Sequence, residues 1–282
     1  MVVVVNWNRW ADTEECVRAV RCAGYRNFSV TVVDNGSAEP PPPSLAGHPG
    51  TKLILAGENL GFAAANNAAI REGMAWGADY FWCINNDAVC EPGALGALVS
   101  AAEADGRLGA VGSRLVLPGP ARATQALGGG RIVFGRPAHI TSPRRLGGLQ
   151  YICGASVLLR ARALREVGLF DERYFLYWED ADLCLRLRSK GWGIAFEAGS
   201  VVMHRESSAL GKSNPVLDFY FNRSAALFFL RHSRFALAPI LLGAAGRVGK
   251  RIARLRLGNA AASLRGVAAG LRPGAGRRGA LA

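Results

Sequence analysis

Acidic residues are absent from the C-terminal end of this 282-residue chain. Residues 219–282 hold 12 lysines and arginines and no aspartate or glutamate, whereas residues 1–218 hold 22 basic residues and all 21 acidic ones. The formal net charge of +13 therefore belongs to the tail. Because the body is nearly neutral and the basic cluster has no interleaved aromatic residues, we expect no nucleic-acid partner.

The chain also lacks paired cysteines. Its six cysteines form no C-x-x-C motif, and most of them fall within apolar segments. This distribution excludes the usual zinc and disulfide patterns and indicates buried, reduced thiols. No secretory leader is recognisable either, since Met1 runs directly into the apolar residues 2–5, which are typical of a buried strand. We therefore expect a cytoplasmic protein.

Two further patterns are missing. No apolar run reaches the roughly 20 residues that a transmembrane helix needs, because Arg231, His232 and Arg234 interrupt the apolar segments of the tail. No G-x-G-x-x-G motif follows the first apolar segment, where Asn6-Trp7-Asn8 stands instead. This absence excludes a nicotinamide-dependent dehydrogenase of the Rossmann type.

The first hundred residues alternate between apolar and amphipathic segments. Strands are predicted over residues 2–6, 29–33, 52–56 and 80–84, and helices over 12–22 with Asp12 as the cap, over 61–76, and from Glu91-Pro92 onwards. This alternation predicts an α/β fold with a mostly parallel, Rossmann-like sheet flanked by helices. A basic, helical C-terminal tail is expected to follow it.

Polar residues recur where the predicted strands end. Asn6 ends the first strand, Asp34 follows the second, and Asn85-Asn86-Asp87 follows the fourth. The carboxyl ends of parallel strands meet at one edge of a sheet, where open α/β folds bind ligands. We therefore expect these side chains to converge, although Asp34 in a plain turn and Asp87 as a helix cap are the structural alternatives.

The densest group of acids is Trp178-Glu179-Asp180-Ala181-Asp182, which opens a predicted amphipathic helix. Carboxylates in the first turn of a helix are stabilised by the macrodipole, so helix capping is one interpretation. A general base in an active site is the other. Asp87 and His204, which ends an apolar segment, favour the second interpretation because they suit a metal site, although a lone histidine at a strand end is usually structural.

Five motifs in order carry a resemblance to a known family: residues 32–37 (V-V-D-N-G-S), Asn59-Leu60-Gly61-Phe62 with Asn66-Asn67, Asn85-Asn86-Asp87, Gly154-Ala155, and Phe170-Asp171-Glu172 through Leu183. Over residues 1–230 the chain resembles the family 2 inverting glycosyltransferases, which have the GT-A nucleotide-diphosphosugar transferase fold. The amino-acid sequences of these motifs are most similar to those of the bacterial rhamnosyltransferase-like branch. Asn85 and Asn86 stand where many members have another aspartate.

The resemblance implies a division of the chain. Residues 1–105 would form the nucleotide-sugar-binding half of a GT-A domain, residues 106–230 its acceptor-binding and catalytic half, and residues 231–282 a basic amphipathic tail, partly disordered. Residues 128–143, which begin with three glycines, are expected to form a flexible excursion that covers the site.

The resemblance also implies roles for individual residues. Asp180 would be the catalytic base, with Glu179 beside it; Asp87 and His204 would bind Mg²⁺ or Mn²⁺; and Gly154, Tyr177 and Trp178 would contact sugar, unless the two aromatic residues belong to the core. The residues implied for the nucleotide are Asn6, Asp34, Asn35, Gly36, Asn59, Gly61, Asn67 and Asn86. The glycine and the N–H groups that open the helix from residue 61 suit a ribose or phosphate.

The implied reaction moves a sugar from a nucleotide diphosphate donor to a hydroxyl of a lipid-linked glycan or of a cell-wall or polysaccharide precursor. Rhamnose from dTDP-rhamnose is the expected sugar; galactofuranose, another hexose, or a noncatalytic sugar-nucleotide-binding protein are the alternatives. The basic residues from Arg247 to Arg256 recur at near-helical spacing. They predict peripheral attachment to the anionic inner face of the cell membrane, and a solvated tail is the alternative.

Overall fold

A computed structural model describes residues 1–48, 50–206, 211 and 213–272. The disorder expected of the last ten residues lies outside this part of the chain. The strands are β1 Val2–Asn6, β2 Val30–Asp34, β3 Thr51–Leu55, β4 Tyr80–Asn85, β5 Ala88–Cys90, β6 Leu108–Val116, β7 Thr124–Leu127, β8 Gly129–Val133, β9 Arg136–His139, β10 Tyr151–Ile152, β11 Ser156–Arg160 and β12 Gly193–His204.

Helices alternate with these strands and then end the described chain. They are α1 Trp10–Arg21, α2 Pro43–Ala46, α3 Gly61–Ala75, α4 Ala94–Ala104, α5 Ala161–Val167, α6 Glu179–Ser189, α7 Pro215–His232, α8 Leu237–Ile252 and α9 Leu257–Leu271, with a short 3₁₀ helix at Pro143–Gly148. Two predicted helix starts are wrong by a few residues. Asp12 lies inside the first turn of α1, where it pairs with Arg9 at 2.7 Å, and Glu91-Pro92 precedes α4, whose cap is Gly93 in the left-handed conformation.

One sheet joins the two halves of the chain in the order β3-β2-β1-β4-β11-β6-β12-β5, with β7 paired to β6. The pairings among β1–β4 are all parallel, as predicted. Beyond β4 the sheet is mixed, because β11 is antiparallel to both of its neighbours while β12 runs parallel to β6. The mostly parallel sheet expected from the sequence is therefore correct for the N-terminal half only.

The apolar strand β1 separates two cores. Val3 packs on one face of the sheet with residues of α3 such as Ile70, whereas Val2 and Val4 pack on the other face with residues of α1 such as Val17. Successive side chains of a strand point to opposite faces, so an unbroken apolar run fits a strand that is covered on both sides. This arrangement brings the ends of β1, β2 and β4 to one edge of the sheet.

Residues 128–143 are not the flexible excursion predicted from their glycines. β8 and β9 form a hairpin, and β10 pairs with β8 to complete a second, three-stranded sheet. The glycines are required by packing, because a Cβ atom at Gly129 would collide with the backbone of Tyr151, and one at Gly130 with the backbone of Ala138. Glycine in a strand commonly marks such a close backbone approach.

The basic tail is folded onto the body over its described residues, 231–272. Helix α9 lies along α7 so closely that Gly266 and Gly270 face the backbone carbonyls of Phe219 and Arg223. The buried Asp218 of α7 accepts hydrogen bonds from both α8 and α9; the donors are Arg247, Arg251 and Asn259. In the part of the chain that the structure describes, no helix combines the length and the apolar character needed to cross a membrane.

Candidate active site

A cleft of about 570 Å³ opens at the carboxyl ends of β1 and β4 and is closed on its far side by α6, α7 and the β8–β9 hairpin. It lies at the sheet edge where ligands were expected. Eight of the predicted site residues line it: Asn86, Asp87, Gly154, Tyr177, Trp178, Glu179, Asp180 and His204. The cleft therefore brings together residues that lie more than a hundred positions apart in the sequence.

Asp180 is held at the floor of the cleft by the first turn of α6. Its Oδ2 accepts the N–H of Gly154 at 3.0 Å, and its Oδ1 accepts the N–H of Ala181 at 2.7 Å. Burial raises the pKa of Asp180 above its ordinary value, while these two N–H groups oppose the shift. The side chain is half-buried, so it is a fixed carboxylate with enhanced basicity that a substrate can still reach.

Glu179, the adjacent acid, has a different environment. Its side chain is only 6% exposed, and its Oε2 has no hydrogen-bond partner among the described residues. Burial, and then the charge of Asp180, raises the pKa of Glu179 well above its ordinary value. These environments favour a pair in which Glu179 keeps its proton while Asp180 is ionised.

Tyr177 and Trp178, which precede the two acids, adopt left-handed backbone conformations with φ of 68° and 71°. Such conformations cost about 1–3 kcal/mol for each residue that is not glycine. Trp178 is 3% exposed and packs against α7, with its ring centroid 4.8 Å from that of Phe228 and 5.3 Å from that of Phe229. Trp178 therefore belongs to the core and does not have the predicted sugar-stacking role. Its aromatic neighbours on α7 hold the strained turn in place.

The tip of β4 and the end of β12 bring Asp87 and His204 together. Ala88 and His204 are register partners, and Nε2 of His204 lies 3.3 Å from Oδ1 of Asp87. Nδ1 of the same ring lies 3.1 Å from Oε1 of Gln125 on β7. If Gln125 accepts the Nδ1 proton, Nε2 carries the lone pair; it faces Asp87 and accepts a hydrogen bond from Nδ2 of Asn85 at 3.3 Å.

This pair fits a divalent cation in part. A carboxylate oxygen and an imidazole nitrogen are suitable ligands for Mn²⁺ and less so for Mg²⁺, which prefers oxygen alone. Within the described ranges, no group of three or more histidine, cysteine, aspartate or glutamate side chains could hold a metal ion. A cation bound here would therefore take most of its remaining ligands from a bound molecule, as a diphosphate would supply them.

The loops after β2 and β3 form a second group of predicted residues beside the cleft. Oδ1 of Asp34 accepts the N–H of Ser37 at 3.1 Å, and Asn35 joins the loops by donating to Oδ1 of Asn59 at 3.0 Å and accepting the N–H of Leu60. Gly36 has φ of 78° and lies against the Glu58–Asn59 backbone, where a Cβ atom would not fit. Asp34 thus stabilises a turn, which was the structural alternative to a role in ligand binding. Its Oδ2 has no partner among the described residues.

Three residues predicted to contact the nucleotide have structural roles instead. Asn6 is fully buried, and it bonds to Thr13, Ser37 and Asn86 through its amide. Asn67 is 1% exposed and binds the backbone of Phe170 through both its Oδ1 and its Nδ2. The amide groups of both residues are already satisfied within the protein.

Gly61, the third, lies directly against the carbonyl of Phe175, which accepts the N–H of Phe62 at 2.8 Å. The N–H groups of Leu60 and Gly61 are bonded to Asn35 and Asn59. The N–H groups of Leu60, Gly61 and Phe62 are therefore bonded within the protein and are not available to a ribose or phosphate as the sequence suggested.

Sequence reasoning missed several polar residues of the cleft, three of them on β7, β9 and β10. Gln125 orients His204, the phenolic oxygen of Tyr151 is buried with no partner among the described residues, and His139 lies near the charge of Asp180, although burial lowers its pKa. All three belong to β7, β9 or β10. Their only signal in the sequence is a polar residue within an apolar or glycine-rich segment, and this pattern is common in ordinary strands.

The fold and the cleft define the class of this protein. A sheet with a parallel N-terminal half, loops after β2 and β3 that form a second group of polar residues, and an acid-lined cleft at the carboxyl edge are features of the GT-A glycosyltransferases. The chain belongs to glycosyl transferase family 2, whose sequence profile matches residues 1–168, more than half of its length. That match ends before α6, so it includes Asp87 and Gly154 but not Asp180 or His204.

Individual relatives agree with this assignment. The chain is 28% identical over 267 residues to the N-acetylglucosaminyl-diphospho-decaprenol L-rhamnosyltransferase of Mycobacterium tuberculosis, an alignment that covers 85% of this chain and 87% of the relative. Among solved structures it resembles GalNAc-T7 with UDP, GalNAc and Mn²⁺ at a TM-score of 0.67 and 12% identity, over 93% of this chain and 53% of that one.

It also resembles the mannosyltransferase PcManGT from Pyrobaculum calidifontis in complex with GDP-Man and Mn²⁺, at a TM-score of 0.59 and 18% identity, over 97% of this chain and 76% of that one. The chain spans about half the length of the GalNAc-T7 structure. At these identities the two structures establish the fold. The GT-A fold and the glycosyltransferase family expected from the motifs are thus confirmed.

Proposed function

We propose that this glycosyltransferase inverts the anomeric centre of a sugar as it moves that sugar from a nucleoside diphosphate to a hydroxyl group. The observation that carries the proposal is that Asp180 and the Asp87–His204 pair line the same cleft. A base and a site for a diphosphate must lie on opposite sides of the reacting carbon when a nucleophile displaces a leaving group in line. The presence of both groups in one cleft supports this arrangement.

Asp180 is the general base of the proposed reaction. The acceptor oxygen forms a bond to the anomeric carbon, its proton passes to a carboxylate oxygen of Asp180, and the nucleoside diphosphate leaves with the electron pair of the broken bond. The N–H groups of Gly154 and Ala181 fix the carboxylate, so its position is set before the acceptor arrives. Glu179, when protonated, donates a hydrogen bond to a sugar hydroxyl without adding a second negative charge.

Asp87 and His204 are the residues that would hold Mg²⁺ or Mn²⁺. When bound, the cation supplies positive charge that neutralises the leaving diphosphate. Gln125 keeps the His204 ring oriented. Nδ2 of Asn86 donates to Asn6 and Thr13, which leaves the side-chain oxygen of Asn86 for other partners. Asp34, Asn35, Gly36 and Asn59 form the adjacent loop pair that would contact the base and ribose.

The proposed donor is dTDP-rhamnose and the proposed acceptor is a lipid-linked glycan or another cell-wall or polysaccharide precursor. The alignment with the mycobacterial rhamnosyltransferase, which extends over most of both chains, supports this choice. Galactofuranose or another hexose is the alternative. A lipid-linked acceptor also requires the enzyme to work at a membrane, so we propose that it is peripheral on the inner face and attached through α8 and α9.

Thermal-shift binding of nucleotide sugars tests this function. The panel contains dTDP-rhamnose, UDP-galactofuranose and UDP-N-acetylglucosamine, each with Mn²⁺, with Mg²⁺ and with a chelator. We expect one donor to raise the melting temperature only when the metal is present, because a ligand at a hundredfold excess over its dissociation constant stabilises by about 2.7 kcal/mol. A protein that binds no nucleotide sugar under any of these conditions would contradict the proposal.

A further inference from the structure

The charged and apolar faces of helix α8 are exchanged relative to those of an ordinary surface helix. Its arginines Arg247 and Arg251 face the body and contact Asp218 at 3.3 and 3.0 Å, while Ile240 and Ala244 complete the buried side. Its solvent side is apolar, with four large side chains that are each at least half exposed: Leu237, Leu241, Leu242 and Ile252. A surface helix normally turns its charged residues toward water.

A second exposed apolar residue lies at the tip of the β8–β9 hairpin. Phe134 is 81% exposed and has φ of 46°, and the next residue, Gly135, has φ of 75°. A two-residue hairpin turn with positive φ at both positions favours asparagine, aspartate or glycine, and a phenylalanine there is strained. Neither backbone preference nor packing within the described chain accounts for an aromatic ring at this position.

The hairpin tip and α8 are adjacent. Gly135 lies against the backbone of α8, since a Cβ atom added to it would collide with Pro239 and lie 3.1 Å from the nitrogen of Gly243. Phe235 precedes α8, and Leu255 and Leu257 lie beyond its C-terminal end; all three are exposed, Leu255 by 88%. We call this set the apolar face: Phe134, Phe235, Leu237, Leu241, Leu242, Ile252, Leu255 and Leu257.

We propose that the apolar face inserts into the headgroup region of an anionic lipid bilayer and holds the enzyme there by burial of its side chains, with the basic residues in a secondary role. Exposed cations close to it in sequence include Arg136, Arg234, Lys250 and Arg254, and no acidic residue follows Asp218. A rim of positive charge around an apolar surface matches the negative charge and the hydrocarbon of such a bilayer.

Charge also distinguishes the bilayer from a second copy of this chain. In a dimer formed through the apolar face, the cations of one copy would approach those of the other, with no carboxylate from residues 219–282 to compensate them. Like charges brought together across an interface disfavour association. Anionic lipid headgroups instead supply the missing negative charge.

The apolar face lies close to the cleft. Arg247 of α8 stacks on the ring of Phe221 at 3.6 Å, and Phe221 lines the cleft, as do Pro137 and His139 of the hairpin. A protein held by this face would present its cleft next to the bilayer surface. This last consequence rests on the proposed function, because it matters only if the acceptor is attached to a lipid.

Vesicle flotation with the full chain tests the inference. The vesicles are phosphatidylcholine alone or with phosphatidylglycerol, each at physiological and at high sodium chloride. Compared with the wild type, the double variant Leu241→Ser/Leu242→Ser is expected to lose roughly tenfold or more in partition coefficient, since burial of one leucine side chain corresponds to at least that factor. Trp76→Ser is the matched control, because Trp76 is half exposed, follows the C-terminal end of α3 and is not part of the apolar face.

The variant Phe134→Gly distinguishes a loss of membrane binding from a loss of folding stability. Glycine relieves the positive φ at the hairpin tip, so we expect weaker binding to vesicles with an unchanged or higher melting temperature. High salt is expected to weaken binding of the wild type only in part, because insertion of apolar side chains is not screened.

Three outcomes would overturn the inference. The first is wild-type binding by both variants, the second is complete release of the wild type by salt, and the third is a dimer in light scattering that the variants lose. Donor binding and transfer to a water-soluble acceptor are measured on the same variants. Both should remain, so a failure of glycosyl transfer in the wild type is distinguishable from a failure of the membrane contact.

Discussion

At the scale of single residues, two adjacent carboxylic acids differ in their protonation because their surroundings differ. Glu179 and Asp180 share the first turn of α6, yet Asp180 is half-buried and accepts two N–H groups, whereas Glu179 is buried with one oxygen unpartnered. The first environment stabilises an anion that a substrate can reach. The second favours a neutral acid, so the pair can divide the roles of proton acceptor and hydrogen-bond donor.

The exchange Asp180→Asn removes the proposed base. We expect turnover to fall about 10²–10⁴-fold, because an amide cannot take the acceptor proton, while the thermal shift produced by the donor and Mn²⁺ stays as in the wild type. The measurement is the initial rate at saturating donor. An Asp180→Asn enzyme with full activity would show that another group is the base.

Glu179 makes the stability of the protein depend on pH. Because the pKa of Glu179 is raised in the folded state, the folded protein keeps this proton after the unfolded chain has lost it near its ordinary pKa of about 4.3. The free energy of unfolding therefore decreases as the pH rises above that value. In Glu179→Gln this loss is absent, so the variant should gain stability relative to the wild type between pH 5 and pH 8 in urea unfolding.

Equal pH dependence in the two proteins would mean that Glu179 is ionised in the folded state. Asp182 is a useful comparison, because its pKa is lowered by His232 and by Arg186, although its burial alone would raise it. Its contribution has the opposite sign and is lost as the pH falls. A carboxylate three positions away thus reports whether the method resolves the direction of the pH dependence.

At the scale of elements, the turn before α6 is held by contacts that reach across the whole fold. The loop of residues 170–178 is bonded to Asn67 of α3 at Phe170, and to the start of the same helix at Phe175. Trp178 anchors its end in the aromatic residues of α7. The strained conformation of Tyr177 and Trp178 persists because packing on both sides determines it.

The variant Gly61→Ala tests this arrangement. Gly61 has φ of 81°, and a Cβ atom there would collide with the carbonyl of Phe175, whereas Gly77 has φ of 86° and no atom within 4 Å of its added Cβ. Gly77→Ala therefore measures the cost of the backbone conformation alone. We expect Gly61→Ala to be less stable than this control by about 1–3 kcal/mol in denaturant unfolding, and to lose activity because the loop before Asp180 shifts.

Equal destabilisation by the two alanines would indicate that the loop moves aside without cost. Retention of full activity in a destabilised Gly61→Ala protein would separate the loop from the placement of Asp180.

At the scale of the whole molecule, the position of the basic tail differs most from expectation. Near-helical spacing suggested that Arg247 and Arg251 face a membrane, but both pair with the buried Asp218. The tail as far as residue 272 is consequently part of the folded body, and removal of residues 235–282 is expected to expose the face of α7 that α9 covers.

Asp218→Ala leaves these two arginines without their carboxylate. Removing one partner of a buried ion pair typically costs about 3–5 kcal/mol, so we expect a large loss of stability and early proteolysis within α8 and α9. Glu91→Ala is the control, because its ion pair with Arg122 is well exposed and should contribute less than about 1 kcal/mol. Urea unfolding and limited trypsin digestion report the two effects.

An Asp218→Ala protein as stable as the control, and as resistant to trypsin as the wild type, would show that α8 and α9 are held by apolar contacts alone.

The sequence by itself determined the periodic features of this protein. The apolar run of β1, the amphipathic pattern of α1 and the polar residues at the strand ends indicated the α/β class. The order of the motifs indicated the family and predicted Asp87, Asp180 and His204 as site residues. These features depend on neighbours in the chain, because strand and helix periods and turn chemistry are local.

Only the tertiary structure decided which polar groups remain available to a ligand. Asn6 and Asn67 look like ligand-binding amides in the sequence, yet buried partners from distant segments satisfy them, and Gln125 lies beside His204 only because β7 pairs with β6. The direction of α8 was decided in the same way, since a buried carboxylate on α7 turned its arginines inward. Hydrogen bonds and charges are satisfied in space, and no local pattern records which distant group satisfies them.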